Sequence, residues 1–314
     1  MGRVQLATGE VQQAINTFGK VATAQPGSVN AQLRLAEAHA QNKDKAATKR
    51  SLQRALELDP KALPAQRGLV QLALADGRFD DALTIARKVQ QQRPREGVGY
   101  ALEGELFASR RQWEPALAAM RSALNRDKST PSAIQVHALM TVANMASTAD
   151  AFASQWLREQ PNDVAFLAHL GTLDMGAGKF GPAEQRFRAI LALQPDNATA
   201  LNNLAWILVQ QKKSGALELA RRANTLAPDR PAFMDTLAVA LAAEGDLPGA
   251  VEWQRKAVGK ADPAAAPTYR LGLAKLLLQN RDAANARTEL EALTKLGDKF
   301  AGQAEVTALL ASIK

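Results

Sequence analysis

Leucine, then a small residue, then a glycine seven places on and an alanine five further: this order recurs along the chain, and a proline closes each phrase. The clearest copy reads Leu170-Gly171, Gly178, Ala183, Phe187 and Pro195. Later copies read Leu204-Ala205 with Ala216, Leu237-Ala238 with Gly245 and Ala250, and Leu271-Gly272 with Ala284. Earlier ones read Leu35-Ala36, Gly77 with Ala82, and Gly104 with Phe107, Ala116 and Ala123. Pro26, Pro60 and Pro94 stand 34 residues apart, and Pro161, Pro195, Pro228 and Pro263 keep nearly the same beat. The pattern predicts two helices per phrase. Small residues let the two backbones touch, and large ones on the other face fill the gap to the next phrase. The glycine supplies the left-handed turn that ends the first helix, and proline cannot continue the second.

The predicted architecture is all-α, a right-handed superhelical solenoid of antiparallel helix pairs with no strand longer than three residues. A partial unit occupies 1–26, eight full units 27–297, and a capping helix 298–314, its helical part at about 303–313. The stretch 128–161 is the poorest copy. It lacks the turn glycine and puts His137 and Trp156 at core-type positions, yet the flanking register requires a helix pair there. At the start, Gly9, Ala14, Phe18 and Pro26 are in register, which leaves only Met1–Thr8 for a first helix. Terminal repeats need a polar capping face, so a longer array upstream is the expectation.

A period of 34 residues with this pattern resembles the tetratricopeptide repeat (TPR) family over essentially the whole chain. The resemblance implies a protein-binding scaffold whose concave surface is lined by residues flanking the leucine–small pair of each first helix. Carried over, that surface holds Arg34, Glu37, Arg67, Gln71 and Glu105, then His169, Thr172, Asn202, Asn203, Trp206, Asp235, Thr236, Tyr269 and Arg270. The partner-binding strip is placed on His169, Thr172, Asn202, Asn203, Trp206, Asp235, Thr236 and Arg270, where equivalent positions of adjacent repeats would form one polar strip with an aromatic anchor. Asn203 stands before Leu204, where the family commonly carries asparagine; an amide both donates to and accepts from an extended peptide. Trp206 is read either as a binding anchor or as packing against the neighbouring first helix. The lysine, arginine and asparagine set with which some family members clamp a C-terminal carboxylate is incomplete here.

A narrower resemblance covers the last third. Ala200-Leu201-Asn202-Asn203-Leu204-Ala205-Trp206-Ile207-Leu208, Ala216-Leu217-Glu218-Leu219-Ala220, Leu226-Ala227-Pro228-Asp229, Asp235-Thr236-Leu237 and Ala308-Leu309-Leu310-Ala311-Ser312 are similar to the C-terminal region of PrsT, the TPR-repeat lipoprotein family of the PEP-CTERM (exosortase) system. This implies a role in exopolysaccharide biosynthesis and surface-protein export, in the periplasm or at the outer membrane. The family's signal sequence and lipidated cysteine are absent from this chain. The alternative is a general cytoplasmic adaptor holding a peptide or a protein complex.

Composition narrows the chemistry. The net charge is +8, but basic residues come as scattered pairs such as Arg110–Arg111, Lys212–Lys213 and Arg221–Arg222. Such pairs make a solvated surface, open to an acidic polysaccharide but not built for nucleic acid. There is no cysteine, so disulfides, thiolate metal sites and cysteine nucleophiles are excluded. No apolar run reaches transmembrane length. Gly176-Ala177-Gly178-Lys179-Phe180-Gly181 matches a dinucleotide fingerprint, but that motif needs a preceding strand; here Gly178 falls on the repeat's turn. Position 173 is leucine and 180 phenylalanine, so Gly178-Lys179 is not a P-loop either. His39, His137 and His169 lie in different repeats without metal-ligand spacing. The expectation is no metal, no cofactor and no catalysis.

Overall fold

The structure, a computed structural model, describes residues 1–313. Among them there is no strand; the chain is helical throughout. It divides into two compact units, the first Met1–Pro161 and the second from Asn162 onward.

The first unit holds five pairs: α1 (Gly2–Ala7) with α2 (Val11–Ala24), α3 (Val29–Gln41) with α4 (Lys45–Leu58), α5 (Leu63–Ala75) with α6 (Phe79–Gln92), α7 (Val98–Ser109) with α8 (Trp113–Asp127), and α9 (Thr130–Val142) with α10 (Ala146–Glu159). The second holds four: α11 (Val164–Gly176) with α12 (Phe180–Leu193), α13 (Ala198–Gln210) with α14 (Ala216–Leu226), α15 (Pro231–Ala243) with α16 (Leu247–Lys260), and α17 (Ala266–Gln279) with α18 (Ala283–Thr294). A 3-10 turn (Gly297–Lys299) leads into α19 (Gln303–Ser312), whose Val306 packs with Leu271, Ala274, Leu290 and Leu293.

One backbone position sets the beat. Gly9, Lys43, Gly77, Arg111, Asn144, Gly178, Lys212, Gly245 and Arg281 all have positive φ, at intervals of 33 to 36 residues. Each ends a first helix in the left-handed conformation. Four are glycine; the others accept the strain that a Cβ brings there. Asn144 fills this place in the poorest copy, and His137 and Trp156 are buried as their positions required.

Side chains at the following helix entrances supply the caps. Ser28, Asp44, Asp163, Asn197, Asp246 and Asp282 each accept a hydrogen bond from the backbone N–H three residues on. Asn197, which also fits a glycosylation signal, is one of these caps.

In every pair but the one ending in α14, where Ala216 opens the helix, the fourth residue of the second helix is small and buried: Ala14, Ala82, Ala116, Ala183 and Ala250 are fully covered. In the last pair this residue is Ala286, fully buried, and not the expected Ala284, which is exposed. The loop before α18 has three residues, as before α12 and α16. Ala286 keeps the usual five-residue distance from its left-handed turn, Arg281, which itself lies nine residues after Gly272 where Gly178 lies seven after Gly171. One turn further along each second helix comes a position that is buried in every pair. It holds Phe18, Leu52, Met120, Phe187, Leu290 or alanine, and in α16 it holds Gln254. The facing first helix answers with a gap. A Cβ on Gly171 would meet the Phe187 ring at 3.0 Å, and one on Gly272 would meet Gln254 Nε2 at 2.7 Å.

Candidate functional site

The first helices of successive pairs stand side by side, and their shared faces are grooved in both units. In the first unit, α3 and α5 flank a cavity of about 680 Å³ floored by Thr48 and Leu52 of α4. Leu33, Ala36, Leu72 and Ala75 make its walls apolar, while Asn30, Arg34, Glu37 and Gln71 supply polar groups. Arg34 and Glu37 pair across one helical turn at 2.9 Å. Gly68 opens this groove, since a Cβ there would lie 2.7 Å from Leu52. Arg67, Gln71 and Glu105 are exposed.

In the second unit, α13, α15 and α17 enclose a cavity of about 430 Å³. Val209, Val239, Ala242, Ala243 and Leu276 line it with Asp235, Gln254, Gly272, Lys275 and Gln279. The half-buried Asp235 carboxylate accepts a bond from Gln254 Nε2 at 2.6 Å. The same nitrogen donates to the Tyr269 carbonyl at 3.0 Å. Burial pushes the Asp235 carboxyl above the usual carboxylate range, and the Gln254 bond partly opposes this. Lys275, also on the wall, is paired with Glu305 of α19 at 2.6 Å.

The residues expected on one strip are divided. Thr172 is exposed, its hydroxyl donating to the Ala168 carbonyl at 2.8 Å. His169 is half-buried with its ring against Phe166, and burial pushes its imidazole below the ordinary histidine range. Trp206 is half-buried and meets Phe180 edge to face, ring centroids 5.6 Å apart. It therefore packs on α12 while keeping part of its surface in the open. Asn203 is half-buried. Two placements correct the expectation. Thr236 is 3% exposed, because it lies on the covered side of α15 with Phe233, Leu237 and Ala240, and its hydroxyl is satisfied along the helix by the Ala232 carbonyl. Asn202 is buried too, bonded to Asn203. Both lie beneath the surface, so the exposed strip is interrupted at these two positions. Arg270 is half-buried and turned to Glu289 of α18, 2.9 Å away.

The glycine fingerprint 176–181 runs from the end of α11 through the turn into α12, with Gly178 at φ +69°. No strand precedes it, so the geometry that would cradle a pyrophosphate is missing. No helix among the described residues is long and apolar enough to cross a membrane.

Models of the tetratricopeptide repeat match residues 5–71, 49–96 and 169–231. The chain is a tetratricopeptide repeat protein. The TPR repeat-containing protein PA4667 of Pseudomonas aeruginosa is 27% identical over 199 residues. That match takes in 62% of this TPR chain and 28% of the relative, so the chain spans little more than a quarter of the relative's length. A chain from the crystal structure of the APC/C hetero-tetramer Cut9–Hcn1 shares the fold, with a TM-score of 0.55 and 14% identity. The superposition covers 96% of this chain and 59% of that one. TPR folds serve protein–protein interaction, and this one supplies grooves suited to it.

Sequence reasoning about first helices missed Gln254, because it lies on a second helix. A signal was present: Ala250, Gln254 and Ala257 share one helical stripe, and all three are fully buried.

Proposed function

We propose that this chain is a non-catalytic scaffold holding a segment of a partner protein against its first-helix faces. The observation that carries the reading is the pair of open grooves, about 680 and 430 Å³, on that face in each unit. Both combine apolar walls with a few fixed polar groups, the usual make-up of a binding site. The wider setting we propose is export of PEP-CTERM surface proteins and exopolysaccharide in a bacterium, at the periplasmic side. Its support is the likeness of residues 200–237 and 308–312 to PrsT. The net charge of +8 also suits an acidic polysaccharide nearby.

The test is site-specific photo-cross-linking in the source cell. Probes at Gln71 and Val239 report the two grooves; probes at the exposed Lys88 and Glu218 report second helices. Cross-links to one protein from the groove positions alone are expected. Equal yield from Lys88 and Glu218 would move the interaction to the other face.

A further inference from the structure

Gln254 is out of character with its register. Among the nine helix pairs, the same position is apolar in all the others. Burying an amide where Phe187 or Met120 would serve costs stability unless its groups are bonded. Only half of it is. Nε2 sits between two acceptors, Asp235 Oδ1 and the Tyr269 carbonyl, which fixes the orientation of the amide. Oε1 has no hydrogen-bond partner, although the residue is 0% exposed. Beside it, Asp235 is half-buried, and among the described residues no cation is paired with it. Lys275, the cation on the cavity wall, is engaged by Glu305. Gly272 completes the arrangement, because any Cβ there would collide with Gln254.

We infer that the α13–α15–α17 cavity is a pocket for a guanidinium side chain of the partner segment, held by the Asp235 carboxylate with Gln254 behind it. The inference rests on the scaffold reading above and assigns the chemistry of one of its grooves. An unpaired, partly desolvated carboxylate is stabilised by an incoming cation, and a charge-assisted bond there is stronger than at an open surface. Arginine fits better than lysine. Its planar fork offers five donors, is less strongly hydrated, and stays charged in apolar surroundings. The apolar walls made by Val209, Val239 and Leu276 suit the methylene stem.

The test uses the whole chain, nitrogen-15 labelled, titrated with acetyl-Ala-Ala-Arg-Ala-Ala-amide and with the same peptide carrying citrulline, the neutral isostere. Shifts are read at the Gly272 amide and the Gln254 side-chain amide. The arginine peptide is expected to bind at least tenfold more tightly than the citrulline peptide. In Asp235→Asn that preference should fall to within twofold. Gln254→Met, which restores the apolar residue of this register, should reduce the preference with the fold retained. Equal binding of the two peptides at Gly272 overturns the cation assignment and leaves the groove as a peptide site. A preference that survives Asp235→Asn overturns it too. No response at Gly272 from either peptide, with groove cross-links intact, removes this pocket alone; loss of the cross-links as well removes the scaffold reading.

Discussion

Asp235 shows how one side chain couples the groove to stability. Its carboxyl is raised above 3.8 by burial first, with the Gln254 bond acting against that. The folded state therefore holds this proton more tightly than the unfolded chain does. The favourable contribution is full below the unfolded carboxylate range and is lost as pH rises through the higher folded value. Asp235→Asn removes the penalty of a buried charge. Relative to wild type, the variant should be more stable at neutral pH, and the difference should vanish in acid. Denaturation midpoints measured from pH 3 to 7 check this; a constant offset across the range would count against a titrating Asp235. Single residues also show where sequence reading stops. Thr236 and Asn202 look like surface groups by composition, but short polar side chains that bond locally are easily buried. Trp206 is half-buried against Phe180 at the start of a second helix, α12, where the sequence pointed to a neighbouring first helix.

At the level of the helix pair, most of the fold was legible. Prolines and glycines punctuate the chain, and apolar spacing marks the second helices. What the sequence did not announce were the left-handed turns at Lys43, Arg111, Lys212 and Arg281, because lysine and arginine favour no such conformation; Asn144, at the same place, is of a type that does. The register of the neighbours imposes it on the lysines and arginines. Each lysine or arginine there bears roughly 1–2 kcal/mol of local strain, offset in part because glycine loses about 0.5–1 kcal/mol more entropy on folding. Arg111→Gly should thus stabilise the chain by about 0.5–1 kcal/mol, and Gly178→Ala should destabilise it by about 1 kcal/mol. Thermal denaturation of the two variants should shift in opposite directions. A shift of the same sign in both would mean that the turn does not control the pair. Gln254 escaped notice for a related reason. It is the polar member of a buried stripe on a second helix, whereas the family pattern places recognition on first helices.

At the scale of the first unit, hydrophobic clusters among the described residues join neighbouring helices. One gathers Ala36, Leu52, Ala55 and Ala65; another runs from Val70 through Phe79 to Leu106. Stability in such an array is a sum of repeat and nearest-neighbour terms, so damage stays local. Phe187 is 1% exposed, and truncating it to alanine should cost about 3–5 kcal/mol. Hydrogen exchange should then quicken in α11, α12 and α13 and keep its wild-type pattern in α3 to α6. Uniform loss of protection along the chain would show a single cooperative core instead.

The lone glutamine among apolar residues at one interior register also bears on how such arrays diversify. Recognition here is written partly beneath the surface: exchanging one covered residue for an amide, opposite a glycine, reshapes a groove without altering any exposed side chain. The same slot exists in each of the other pairs, presently filled by Phe18, Met120, Leu290 and their equivalents. Grafting the glutamine–glycine combination beneath an acidic groove residue already present in another pair is thus a route to a second pocket. Two arrays with identical outer residues would then differ in ligand, and surface comparison of relatives would overlook the change.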